Sequence, residues 1–171
     1  MSKTKGYPYV HLMLRILTIC LLIGWMGVIF LFSAQPGDES GDLSGHLSYK
    51  VSSVLHHVFQ RDCTEEDIML LAEKIDYPLR KAAHMTEYGI LAVIGFFATI
   101  SWPLRGKKQY WFPLTAAFLY AITDEIHQLY VPGRVGCATD VLIDTSGAAI
   151  ALFIVWLLRN AFFRKKRNKT L

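Results

Sequence analysis

Cysteine is scarce in this chain, and the common metal and hydrolase signatures are missing altogether. The 171 residues include three cysteines, Cys20, Cys63 and Cys137. None of them forms a Cys-x-x-Cys pair or a Cys/His spacing, which excludes a zinc ribbon and a thioredoxin-like redox pair. HExxH is absent and so is GxSxG, which removes the zinc-protease helix and the serine nucleophile elbow. No internal repeat or low-complexity tract is present. Charge is thin as well: 19% of residues are Asp, Glu, Lys or Arg, against 53% hydrophobic. The mean hydropathy is +0.30, high for a water-soluble domain. The net charge of +4 comes without an aromatic-basic surface, so nucleic acid is not expected as a partner.

What is there is apolar sequence in long runs. Four of them, near residues 12–33, 80–102, 111–131 and 140–162, each have about the 20 residues that span a bilayer as a helix. The length of the chain suits one domain. We therefore expect an all-α integral membrane four-helix bundle; a large soluble helical bundle is the competing reading. The first run, with Lys3, Lys5 and Arg15 as a basic flank, also invites a signal-peptide reading. Its core is longer than a signal h-region, and the nearest small-residue site, ending at Ala34, has bulky Phe32 two positions earlier. We expect an uncleaved helix.

Basic residues orient the spans. Lys3, Lys5 and Arg15 mark the N-terminal part, 1–11 being the terminus itself. Arg105, Lys107 and Lys108 mark the link after the second span, and Arg164, Lys165, Lys166, Arg167 and Lys169 mark the tail at 163–171. The segment 34–79 is mainly acidic. Both termini are expected in the cytoplasm of a bacterial cell, with the protein crossing the plasma membrane several times. Cys63 and Cys137 then share the outer side, as two free thiols or as a bridge.

The outer segment has its own pattern. Leu43, Leu47, Val51, Val54, Leu55 and Val58 recur at helical spacing, which makes 42–59 an amphipathic helix. Thr64 followed by Glu65, Glu66 and Asp67 resembles a capping box that opens a second short helix to about Ile75. Pro78 is expected where the second span begins. These outer helices either lie on the membrane, lid the bundle or merely bridge two spans.

The apolar runs are not clean. The second contains His84 and Glu87, the third Asp124, Glu125 and His127, and the fourth Asp140 and Asp144. An Asp in hydrocarbon costs roughly 2.5–3.5 kcal/mol on insertion scales. By the orientation above, all of these residues fall in the outer half of the bilayer. Arg80, His84, Glu87 and Tyr88 share one helix face, as do Tyr120, Asp124, His127 and Gln128. Asp140 and Asp144 are one turn apart, and Gly147, Ala148 and Ala151 continue their stripe, small residues that suit a close helix crossing. Glu125, about 100° from Asp124 on the helix, is expected to point elsewhere.

In these residues the chain resembles the VanZ-like family, named for the teicoplanin-resistance protein VanZ. The matching pieces are Phe32-Ser33-Ala34-Gln35, Arg80-Lys81-Ala82-Ala83-His84 with Glu87-Tyr88, and Asp124-Glu125-Ile126-His127-Gln128, followed by Pro132-Gly133-Arg134, Asp140, Asp144 and Gly147. They cover about 12–160. The resemblance implies a multi-pass protein of the cell envelope, tied in its best-known member to low-level teicoplanin resistance.

The expected site is an outer-leaflet pocket of Ser33, Gln35, Arg80, Lys81, His84, Glu87, Tyr88, Asp124, Glu125, His127, Gln128, Arg134, Asp140 and Asp144. Arg80, Lys81, His84 and Arg134 suit an anion: a lipid phosphate, a cell-wall precursor or the lipoglycopeptide itself. Three other readings use the same residues. In one, the protein is a hydrolase or transferase for a lipid-linked substrate, with His84, Glu87, Asp124 and His127 as acid/base candidates; a divalent cation on Asp124, His127, Asp140 and Asp144 is compatible with that chemistry. In another it is an ion-coupled transporter. In the last, the charges form a self-satisfied network in which Arg80, Lys81 and Arg134 balance Glu87, Asp124, Asp140 and Asp144.

Overall fold

The computed structural model describes residues 8–59 and 64–168. They form five α-helices, α1 (Pro8–Ser33), α2 (Gly37–Phe59), α3 (Glu65–Ser101), α4 (Lys108–Gln128) and α5 (Ala138–Asn168). No strand occurs among the described residues. Three helices, α1, α3 and α5, are long and apolar enough to cross a membrane.

The expected all-α architecture is there, with one correction and one helix that stands apart. First, the helix expected to stop near Ile75 and the second span expected from Pro78 are one continuous α3, with Pro78 inside it. Its 37 residues make it about 55 Å long, well beyond the roughly 30 Å of a bilayer core. Proline removes one backbone hydrogen bond and normally breaks a helix. Here side-chain contacts brace α3 on both sides of it: Asp76 accepts from the Ser48 hydroxyl at 2.9 Å, and Lys81 pairs with Asp140 at 2.6 Å. Second, α4, with 21 residues, is long enough to span but not apolar enough to stand with the other three. It contains Gln109, Asp124, Glu125, His127 and Gln128 in 21 residues, and those polar groups mostly face inward. Cys63 lies outside the described residues, so its expected relation to Cys137 does too; Cys137 is a free, exposed thiol.

α3 is the centre of the molecule, with its largest contact against α5. The crossing is close because Gly147 of α5 lies on the Met85 backbone, where any side chain would collide. The core joins Tyr88, Leu91, Ala92 and Phe96 of α3 with Ala117 and Ala121 of α4, Ala148 and Leu152 of α5, and Ile29 of α1. The middle of α1 is tied to its neighbours by Trp25 Nε1, which donates to the Glu87 carbonyl at 2.9 Å, and by the Tyr120 hydroxyl, which donates to the Met26 carbonyl at 2.6 Å. Large apolar side chains remain exposed along α1, α3 and α5, the distribution expected of helices solvated by lipid.

The capping box at the start of α3 is realised. The Thr64 hydroxyl accepts from the Asp67 N–H, and the Asp67 carboxylate accepts from the Thr64 N–H. α2 packs against the first half of α3, but through serines. Ser52 donates to the Ile68 carbonyl at 2.7 Å, Ser48 to Asp76, and Ser44 accepts from Arg80 at 2.8 Å. Residues four apart share a helix face, so Ser44, Ser48 and Ser52 make one polar seam. Leu43, Leu47, Val54 and Val58 are left exposed.

Candidate functional site

The expected site residues converge on one end of the bundle, but they divide into a cavity wall, a buried carboxylate group and a separate ion pair.

The cavity has a volume of about 410 Å³ and lies between the end of α1, α2 and α3. Arg80, His84 and Glu87 of α3 line it, as their shared helix face requires, together with Gln35 and Arg134. Phe32, Leu43, Leu47 and Leu79 form its apolar wall, and His46 and Lys50 of α2 add basic groups. Arg80 bonds to Asp76 at 3.1 Å and to Ser44, while its buried Nε has no partner. An unpaired buried donor costs about 1–3 kcal/mol, so the contacts to Asp76 and Ser44 leave this guanidinium incompletely satisfied.

Arg134 reaches the cavity from the loop between α4 and α5. Its Nε donates to the Gln35 carbonyl at 3.2 Å and Nη2 to the Phe32 carbonyl at 3.4 Å. The loop can come this close because two glycines meet. Gly133 has φ +72°, a left-handed conformation that favours glycine, and Gly37 lies against its backbone where a Cβ has no room. The Gly37 N–H donates to the Pro132 carbonyl at 3.0 Å. Burial, then the neighbouring Arg80, pull the Arg134 pKa below the ordinary guanidinium value; it stays charged at neutral pH all the same.

Behind the cavity lie the carboxylates. Asp124 is 3% exposed and Asp144 1%. Asp124 Oδ2 accepts from the Ser33 hydroxyl at 2.6 Å and from Gln128 Nε2 at 3.3 Å. The other Asp124 oxygen, one oxygen of Asp144 and the Tyr88 hydroxyl are buried without a partner. Tyr88 was expected beside His84 on the pocket face; it sits in the core instead, against Tyr120 with ring centroids 6.1 Å apart. Glu125, expected to point elsewhere, is also buried: it accepts from the Cys137 N–H at 2.7 Å and fixes the start of α5.

Lys81 and Asp140 satisfy each other and do not line the cavity. His127 stacks on Phe30 of α1 with centroids 4.4 Å apart and is not a cavity residue either. The candidates Asp124, His127, Asp140 and Asp144 therefore do not assemble as a ligand set. Among the described residues no group of three or more His, Cys, Asp or Glu side chains is arranged to hold a metal ion. The balanced-network reading holds for one pair, Lys81 with Asp140, and is corrected for the rest. The ion pairs among the described residues are Arg80–Asp76 and Lys81–Asp140, and Glu87, Asp124 and Asp144 have no basic partner in either. Residue reading missed the α2 contribution, Ser44, His46, Ser48 and Lys50, and Asp76 on α3. The signal available was the Ser44–Ser48–Ser52 spacing within a run of otherwise apolar periodicity.

The VanZ/LLP1 family model matches residues 18–159, a span that contains the cavity's α1, α3 and loop residues and the carboxylates behind them. Neither a curated relative nor a solved structure matches the chain. The chain belongs to the VanZ/LLP1 family.

Proposed function

We propose that this VanZ-like membrane protein binds an anionic, lipid-linked ligand in the cavity beneath α2. Membrane phospholipid, a cell-wall precursor and a lipoglycopeptide all combine an anionic group with a hydrocarbon tail. The observation that carries the reading is the pairing of Arg80, His84 and Arg134 with Phe32, Leu43, Leu47 and Leu79 in one cavity. Arginine binds phosphate and carboxylate through paired donors.

In this proposal α4 is a fourth span, covered by its neighbours rather than apolar by itself. Both termini are cytoplasmic and the cavity opens toward the outer leaflet of the plasma membrane. There it meets envelope lipids, and teicoplanin through its acyl chain, so a contribution to low-level resistance is physically accessible. Arg134→Ala and Asp124→Asn test the reading: both are expected to abolish an envelope phenotype while membrane abundance stays near wild type. Loss of both variants from the membrane would make these residues structural only.

A second reading, a hydrolase or transferase, is favoured by the presence of His84 and Glu87 together on the cavity wall beside Arg80, an arrangement suited to acid/base work. Glu87→Gln separates the two readings. Ligand retention with loss of phenotype indicates chemistry; retention of both indicates binding alone.

A further inference from the structure

We infer that the apolar stripe of α2 is a membrane-docking surface, lodged in the lipid leaflet that adjoins the cavity end of the bundle. α2 has three faces. The first is the seam toward α3, in which Ser48 and Ser52 are the buried residues of the helix. The second carries Asp42, His46, Lys50 and His57, and the third carries Leu43, Leu47, Val54 and Val58. At 100° per residue these four apolar side chains fall within about 60° of one another. All four are largely uncovered, from 49% exposed at Leu47 to 66% at Val58.

This polarity is reversed from that of a helix packed in a water-soluble protein, which buries its apolar stripe and exposes its serines. Serine bonds to Arg80, Asp76 and the Ile68 carbonyl hold α2 in place, so the apolar stripe is not needed for internal packing. It is also continuous with lipid-facing surface. Leu31 and Phe32 at the end of α1 are exposed, and Phe32 shares the cavity with Leu43 and Leu47. A stripe beside a basic and polar face is the pattern of a helix lying in the bilayer interface.

The inference does not depend on what the cavity binds. It does set the route: with Leu43 and Leu47 both in the stripe and on the cavity wall, a ligand enters sideways from the leaflet.

The test is nitroxide accessibility in vesicles of phosphatidylethanolamine and phosphatidylglycerol, using the full chain with Cys20, Cys63 and Cys137 replaced by serine. Labels are placed one at a time through Val54→Cys and Val58→Cys on the stripe, and Asp42→Cys and His57→Cys on the polar face. Phe97→Cys, on the exposed surface of α3, serves as the lipid reference. The expected result is that Val54 and Val58 labels follow the Phe97 label, favouring oxygen over a water-soluble nickel chelate several-fold, while Asp42 and His57 labels favour the chelate. Chelate access at all four positions would place α2 in water and overturn the inference. Stripe labels shielded from both reagents would mean a protein cover and overturn it equally. A cavity that binds no ligand would leave this result unchanged, so failure of the docking surface and failure of the ligand reading are separable.

Discussion

Gly37 and Gly133 decide where Arg134 sits, although neither carries a side chain. Their backbones touch, and Gly133 is left-handed. Replacing a glycine whose native geometry an alanine cannot adopt costs more than about 1 kcal/mol. Gly133→Ala and Gly37→Ala are therefore expected to lower the thermal midpoint and to weaken ligand retention, because both move Arg134 from the Gln35 and Phe32 carbonyls. Melting and ligand retention measured on the same preparations check this; an unchanged midpoint for both variants would remove the glycine contact from the account. Ser33 acts in a similar way. Its hydroxyl is the closest partner of buried Asp124, and Ser33→Ala leaves that carboxylate under-satisfied at a cost of about 1–3 kcal/mol. At this scale the sequence was partly legible. Asp124 and Asp144 stood out because a carboxylate in an apolar run demands an explanation. The partners of Arg134 did not, because a guanidinium bound to backbone carbonyls about a hundred residues away leaves no mark in residue type.

At the scale of elements, α2 and α3 are the informative pair. Apolar periodicity identified α2 correctly as a helix but left open whether it lies on the membrane, lids the bundle or bridges two spans, and nothing in the apolar pattern pointed to the residues that make its contact with α3. The contact is made by Ser44, Ser48 and Ser52. Ser48→Ala is expected to destabilise the α2–α3 pair by about 1 kcal/mol, the net value of one hydrogen bond, and Asp42→Asn by less, since Asp42 is exposed on the polar face of α2. Hydrogen exchange of the α2 amides reports the difference; equal protection in the two variants would contradict a serine-held arm. Pro78 was misleading. A proline ends most helices, yet α3 runs through it because the contacts of Asp76 and Lys81 on either side hold the two halves in line. Those contacts are tertiary, so local propensity contains no trace of them. Thr64→Ala, which removes the realised capping box, is expected to fray the start of α3 at a cost near 1 kcal/mol.

For the whole molecule, hydropathy was enough to find α1, α3 and α5, and it was ambiguous for α4, whose polar face is turned inward toward Ser33 and the start of α5. Parity resolves α4. Four spans put both termini on one side of the membrane, and three put them on opposite sides. Reporter fusions at the two ends are expected to give the same, cytoplasmic, signal; opposite signals would remove α4 from the membrane. The cavity is the feature on which the functional account rests, and native mass spectrometry of the protein extracted with its lipids examines it directly, wild type beside Arg134→Ala and Arg134→Lys. The account predicts an anionic lipid or envelope precursor on the wild type, lost in Arg134→Ala and partly kept in Arg134→Lys. A folded wild type that carries no anionic ligand, or one retained equally by Arg134→Ala, would contradict it.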